Sequence, residues 1–385
     1  MAAGSFTSPR NTEIAVVGGG IAGLSTALFL AQDGAEVTVI ERAEPWSEAS
    51  GANAGTLSLQ VKIIPVLALA RHALDLWEAL RTKGIETGFA RPGGLRVATS
   101  EVQLAELRRY SERQAIADVK TDWLEGPALK QFAPWLGPAV RAASFCPEDG
   151  FSSPLLTGPA LAEAVIGAGA RILTRSPVRS IERQAEGYCL TLPSGQLVCS
   201  KLVLAAGPWT AELGRMLGAK LPLYVDVNML SVTEPAPPII ERVITHIGGV
   251  LSLKQHRNGT ILIGGGWQGR GGYSPARKEI DHERLIQNLN EAASVVPALK
   301  QLRLVRSWAG FEAVTADALP FLGRLPGHRH AYVSAGARGG FHLGLAQGQL
   351  LAQLIRHGTT SLPISAFDPG RHAAGDRLSM RSASP

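Results

Sequence analysis

The sequence predicts an α/β protein: a Rossmann-like domain joined to a second α+β domain built on an antiparallel sheet. Three observations carry this reading. Near the start, a β-branched run, a glycine triplet and an apolar helical pattern follow one another. Strand-like segments return after residue 170 and again near residue 330. Between residues 221 and 304 the pattern changes to short strands with one polar helix, the mark of an α+β unit.

In order along the chain, IAVV (Ile14–Val17) and AEVTVIE (Ala35–Glu41) flank the helical pattern AGLSTALFLAQDG, which makes a βαβ unit. Residues 60–130 read as mostly helical, with LALARHALDLWEALRTKG ending at Gly84 as a helix C-cap. GGLRVATS returns to a strand, and Pro154–Ala170 is helical. Three strands are expected in RILTRSPVRSIERQ, YCLTLPSGQLVCS and KLVLAAG, with a hairpin turn at Ser194-Gly195. A long polar helix is expected over Pro275–Asn290, and a closing helix over LGLAQGQLLAQLIRHG, stopped by Gly358. The resulting division gives 11–85, 145–218 and 305–366 to a discontinuous nucleotide-binding domain and 86–144 with 219–304 to a substrate-binding domain. Residues 367–385 are left as a mobile tail.

The 385 residues carry a net charge of +6, but the 38 Lys and Arg are scattered among 32 Asp and Glu without a basic block, so no nucleic-acid partner is expected. Cys146, Cys189 and Cys199 include no CxxC pair, which excludes an all-cysteine metal site and favours a reducing, cytoplasmic setting. Ile14–Ala31 is an uncharged run of 18 residues that imitates a membrane span. Its glycine triplet after a β-branched run reads better as strand, turn and helix, so neither a span nor a targeting segment is expected.

GxGxxG occurs twice. In the first, Gly18 allows the tight turn, Gly20 lets a diphosphate approach, and Gly23 lets the helix pack on its strand, with Ile21 and Ala22 opening the helix toward the anion. Glu41 ends the second strand 23 residues after Gly18, where a carboxylate binds ribose hydroxyls and disfavours a 2′-phosphate. The ligand is therefore FAD or NAD. The second match, Gly264–Gly269, precedes RGGYSP and not a helical face, so it reads as a glycine-rich strand end in which Trp267 can wall a pocket.

Beyond the fingerprint, the segments AEPWSEASGANAGTLSLQ, VLAAGPWTAELG, DALPFLG and SAGARGGFHLGLAQGQLLAQLI together resemble the flavoenzyme superfamily of D-amino acid oxidase, glycine oxidase and sarcosine oxidase. The resemblance runs from Ile14 to about Ile364. ASGANAG, LKQHRNGTILIGGGW and GFEAVTADALPFLG are similar in detail to the FAD-bearing β subunits of opine oxidases, D-hydroxyproline dehydrogenase and hydrogen cyanide synthase. It implies FAD with its AMP half on Gly18, Gly20, Gly23, Glu41 and Arg42, and with Ser50, Asn53, Ala54 and Gly55 along the pyrophosphate and flavin. Val178 would touch the adenine, Ala206, Gly207 and Trp209 would close the pocket, and Gly310 would join the cofactor contacts. Gly336, Gly339, Gly340, Phe341 and His342 would lie at the flavin's pyrimidine edge, before a helix whose N-terminus favours negative charge. SGANAG contains no histidine and no cysteine follows Cys199, so the expected FAD is noncovalent.

For the chemistry, the resemblance implies hydride transfer from an amine substrate to flavin N5, a step set by position and electrostatics, and no catalytic base is assigned. Glycine oxidase-like relatives place an arginine near Glu312, so this chain departs from them there. Glu312 faces either a cationic part of the substrate or a structural arginine such as Arg306. Arg338 is the candidate replacement clamp for a carboxylate. His342 stands where sarcosine oxidase-like relatives carry a carboxylate-binding lysine, and Gln60 and Lys254 follow from the narrower likeness. His246, His256, His282 and His330 read as surface or loop histidines, and Asp317 as the cap of a turn. The expected substrate is an opine-like, N-substituted or cyclic secondary amino acid, oxidised with partner subunits that carry further redox cofactors. A stand-alone oxidase using O₂ and an NAD-dependent dehydrogenase are the alternatives.

Overall fold

The computed structural model describes residues 10–372. Its first sheet orders the strands Phe321–Arg324, Ala331–Ala335, Gly195–Leu204, Arg10–Val17, Val37–Ile40 and Arg171–Leu173, with the hairpin Ser180–Gln184/Gly187–Leu192 added beside Gly195–Leu204. From Ala331–Ala335 to Arg171–Leu173 the pairs are parallel. Buried parallel strands need apolar residues on both faces, and Ile14, Ala15, Val16, Val37 and Val39 are all enclosed.

On one face lie helices Ile21–Gln32, Pro154–Gly167, Leu67–Thr82 and Gly340–His357. A Cβ at Gly344 would come within 2.6 Å of the Ile21 side chain, and one at Gly348 within 2.4 Å of Ser25 Cβ, so glycines let the last helix lie directly on the first. The opposite face is covered by the hairpin and helix Thr210–Met216. The uncharged run Ile14–Ala31 is thereby resolved into a strand end, a turn and a helix, and no helix among the described residues is long and apolar enough to cross a membrane.

The second sheet orders Leu304–Val314, Tyr224–Thr233, Ile261–Gly264, Ser252–Gln255, Val243–His246, Gly94–Ala98, Ala142–Cys146 and Asp122–Glu125. All its pairs are antiparallel except Val243–His246 with Gly94–Ala98. Alternation along the strands gives the sheet two characters. Leu95, Val97, Ile244 and Leu253 enter a core under helices Gly126–Phe132 and His282–Val295. Arg96, Thr245, Ser252 and Lys254 occupy the alternate positions and face the first sheet's side.

The structure corrects four expectations. Pro275–Glu279 is not helical: Arg270–Tyr273 and Ala276–Glu279 form a hairpin, and the helix starts at His282 because the Asp281 side chain accepts from Arg284 N at 3.2 Å. The three segments expected to hold three strands hold four: RILTRSPVRSIERQ contains Arg171–Leu173 and Ser180–Gln184, while YCLTLPSGQLVCS and KLVLAAG together form Gly187–Leu192 and an arm that runs unbroken from Gly195 to Leu204. The boundaries at 145 and 305 fall inside the second sheet, because Ala142–Cys146 and Leu304–Val314 belong to it and the chain returns to the first sheet only after Val314. Finally, Phe367 and Pro369 are buried and Arg371 donates to Asp317 at 2.8 Å, so the start of the expected tail is anchored, while residues 373–385 lie outside the described residues.

Candidate active site

A cavity of about 700 Å³ runs between the ends of the parallel strands and the polar face of the second sheet. Val17, Ile40 and Ala335, which end their strands, line it from one side. This is the carboxyl edge of an open α/β sheet, where such folds place ligands.

At one end the glycine loop opens helix Ile21–Gln32. A Cβ at Gly18 would lie 2.3 Å from Ala205 O, and one at Gly23 would lie 1.9 Å from Gly18 O, so turn and helix approach as closely as backbone allows. Gly20 is the N-cap and has no side chain of its own to cap the helix, which leaves the N–H groups beyond Ile21 for an anion. Ser50 Oγ accepts from Ile21 N at 2.9 Å and holds the loop Ser47–Asn53 against the helix start. Glu41 accepts from Gly19 N at 2.7 Å and from Ala43 N at 2.9 Å, which fixes its carboxylate at the cavity wall. Arg42 pairs with Glu48 at 3.1 Å and its guanidinium lies 3.4 Å over the Trp209 ring. Ala22, Asn53, Ala54, Val178, Ala206 and Gly207 continue the lining. Gly23 and Gly55 do not line it; Gly55 has φ +72° and a Cβ there would meet Ser152 O at 2.0 Å.

At the other end, Gly339, with φ +67°, caps helix Gly340–His357. Gly310, Gly336, Gly340 and Phe341 line the cavity with it. Gly339 N donates to Glu312 Oε1 at 2.9 Å, while Glu312 Oε2 accepts from Asn228 Nδ2 at 2.8 Å and from Arg338 at 3.3 Å. Arg338 also donates to Asp226 at 2.7 Å, and its side chain is half exposed. Glu312 is thus paired with Arg338 and not with Arg306, and through Gly339 N it is tied to the loop that opens the last helix.

Three sequence-derived substrate contacts stand away from the cavity. His342 is fully buried, its Nε2 is 3.0 Å from Ala70 O, and burial together with nearby Lys62 drives its pKa well below the usual value, so it is a neutral packing histidine. Gln60 is consumed by Gly94 O, Asp149 and Ser144 at 2.8–2.9 Å. Lys254 is enclosed one layer behind the wall, donating to Ala54 O at 2.8 Å, Ser252 Oγ at 3.1 Å and the Thr56 hydroxyl. Those three acceptors do line the cavity.

The structure adds residues to the site and reassigns His246, which the sequence reading sets aside. His246 is on a strand facing the cavity, and its Nδ1 is 2.6 Å from Glu291, so it is neither a surface nor a loop histidine. Trp267 backs this pair, donating to Glu291 at 3.1 Å. Lys62 lines the cavity with its side chain turned to Gly339, where an added Cβ would lie 2.2 Å from its Nζ. Burial lowers the Lys62 pKa to about 8, against the attraction of Glu312 and Asp149. Arg96 and Thr245 sit on the same wall. Their signal was present in GGLRVATS and VITH as polar residues between core positions, but the period alone does not say which face meets a ligand. Asp317 caps its turn as expected, accepting from Leu319 N at 3.1 Å and Thr315 Oγ1 at 2.8 Å.

These residues fit an extended dinucleotide such as FAD: two helix N-termini, each with a glycine at its N-cap, open on one elongated cavity, with a carboxylate beside the first. The second GxGxxG ends in a hairpin with no helix, and only its Gly265 and Gly266 reach the cavity.

Residues 13–354 match the DAO family model, described as FAD dependent oxidoreductase. The chain is 31% identical to glycine oxidase of Geobacillus kaustophilus over 94% of its own length and 97% of that protein. It is 26% identical to a subunit of the opine oxidase of Rhizobium meliloti, over 94% and 98% of the two chains. The crystal structure of L-proline dehydrogenase from P. horikoshii superposes with a TM-score of 0.88 at 27% identity, covering 96% of this chain and all of the other. The NAD alternative falls with these findings, and the chain belongs to the DAO family of FAD-dependent oxidoreductases.

Proposed function

We propose that this protein oxidises the C–N bond of an amino acid-derived amine, with an opine-like, N-substituted or cyclic secondary amino acid as substrate and FAD held noncovalently. FAD, when bound, supplies the acceptor for the hydride that leaves the substrate carbon. Gly18, Gly20, Ser50 and Glu41 would hold its nucleotide half, and Gly339, Gly340 and Phe341 the flavin end. Hydride loss from the neutral amine leaves an iminium ion, which water hydrolyses to a carbonyl and an amine, on two molecules for an open-chain substrate and on one for a cyclic substrate.

The observation that carries the reading is Glu312. Its carboxylate faces the cavity at the loop Gly336–Gly340, positioned by Gly339 N, Asn228 and Arg338. An anion held there attracts the ammonium form of an amine and orients its nitrogen before the proton is lost. Arg338 positions Glu312 and is itself held by Asp226, which makes it a poor clamp for a substrate carboxylate. Among the described residues no cysteine lines the cavity, and His246, the histidine that does, is engaged by Glu291 and Gln103, which supports noncovalent FAD.

Anaerobic mixing of the yellow protein with D-amino acids, proline analogues and opines tests the proposal. Bleaching by a secondary amino acid supports it, and a flavin that dithionite reduces but no amine does refutes it. The similarity to the opine oxidase chain favours a heteromeric assembly with further redox cofactors, and that to glycine oxidase favours a free oxidase. Rapid O₂ consumption by the isolated chain would select the second.

A further inference from the structure

Among the described residues three arginines line the cavity, and they differ in one respect. Arg42 pairs with Glu48, and Arg338 with Asp226 and Glu312. Arg96 has no carboxylate partner among the described residues: its one hydrogen bond runs from an Nη to Gln60 O at 2.9 Å. Its Nε is buried and unpaired. The guanidinium lies 4.1 Å over the Tyr110 ring, a contact that covers one face and leaves the in-plane N–H groups free for a planar anion. Directly across the ladder from Arg96 stands Thr245, which is 8% exposed and whose hydroxyl also has no partner. Buried polar groups are nearly always hydrogen-bonded, and the enclosed Arg96 Nε and Thr245 hydroxyl lack that partner. The acids beside these strands are already taken, Glu291 by His246 and Trp267 and Asp149 by Ser58, Leu59 N and Gln60.

We infer that Arg96 and Thr245 form the seat of the substrate's carboxylate, on the wall of the second sheet. The inference deepens the amine-oxidation reading above and rests on it for the identity of the ligand. It gives the substrate two separate anchors, with the carboxylate on Arg96 and Thr245 and the amine toward Glu312. The clamp moves from the loop before the last helix to a strand of the second sheet, which fixes the guanidinium between paired neighbours.

The test uses the FAD-loaded protein and ligands that cannot be oxidised at nitrogen: tetrahydrofuran-2-carboxylate and oxydiacetate, ether analogues of a cyclic and an opine-type amino acid, with their amides as controls. Binding is read as a perturbation of the flavin spectrum. Wild type should bind at least one acid and discriminate against its amide. Arg96→Gln should weaken acid binding on the order of 100-fold and Thr245→Val about fivefold, with amide binding unchanged. Arg96→Lys keeps the charge and loses the fork, and should fall between; it carries the test if Arg96→Gln fails to retain FAD. Failure of wild type to bind either acid overturns the assignment, as does Arg96→Gln or Arg96→Lys binding within about threefold of wild type while Arg338→Gln loses binding. Acid binding that depends on Arg96 in a protein bleached by no amine keeps the seat and sinks the proposed reaction.

Discussion

Replacing Lys254 with methionine removes an ammonium group that is fully enclosed and meets only neutral oxygens, those of Ala54, Thr56 and Ser252. Burial lowers its pKa to about 7. In the unfolded chain the same group holds its proton up to about pH 10.4. Between those values the unfolded state binds more protons than the folded one, so this lysine makes stability rise with pH. Integrated from pH 7 to pH 9, the contribution is about 2 kcal/mol. Lys62, whose pKa is also lowered, to about 8, titrates in both proteins and cancels in the difference, and His256, held near 4 by burial and by Lys254, titrates below the window. Denaturant unfolding of wild type and Lys254→Met at the two pH values should therefore show the wild type gaining about 2 kcal/mol relative to the variant. Parallel pH profiles, agreeing to about 0.5 kcal/mol, would refute the claim that burial without a counter-charge governs this site.

Other perturbations reach the cavity more directly. Gly23→Ala drives a methyl group against Gly18 O and should cost at least about 2 kcal/mol and strip FAD, as a lowered melting temperature and colourless protein will show. Ser50→Ala removes the acceptor from Ile21 N and should weaken FAD binding by roughly 1 kcal/mol, measured by titrating apoprotein; unchanged affinity refutes its role in holding the loop. Glu312→Gln puts an amide where three donors converge and should raise the Michaelis constant for the amine about tenfold or more, with FAD affinity falling in parallel. Normal kinetics in that variant would mean Glu312 only braces the loop.

The nucleotide half of the cavity was legible because its geometry is local. Gly18, Gly20, Gly23 and Glu41 lie within one βαβ unit, and their spacing dictates the turn, the helix start and the carboxylate at the next strand's end. The substrate half was not, because it is assembled across the sheet. Arg96 and Thr245 are distant in sequence and meet only through a parallel pairing that no pattern announces. His342 misled for a related reason: adjacency to a glycine loop does not fix direction, and the helix turns the imidazole back toward Ala70. Glu312 was visible as an acid in an apolar strand, but its partner Arg338 follows from the crossing between sheets, not from spacing.

The glycine contacts between the first and last helices have a consequence for cofactor choice. Gly344 seats on Ile21 and Gly348 on Ser25, so the two helix starts that open on the cavity are gauged against each other by close contact at glycines, with no compressible side chain on the last helix between them. Such a calliper has a fixed opening. A mononucleotide touches one jaw and leaves the other empty, whereas a molecule with a nucleotide at one end and a flavin at the other closes the span, and any side chain added at Gly348 would reset the gauge for both ends at once.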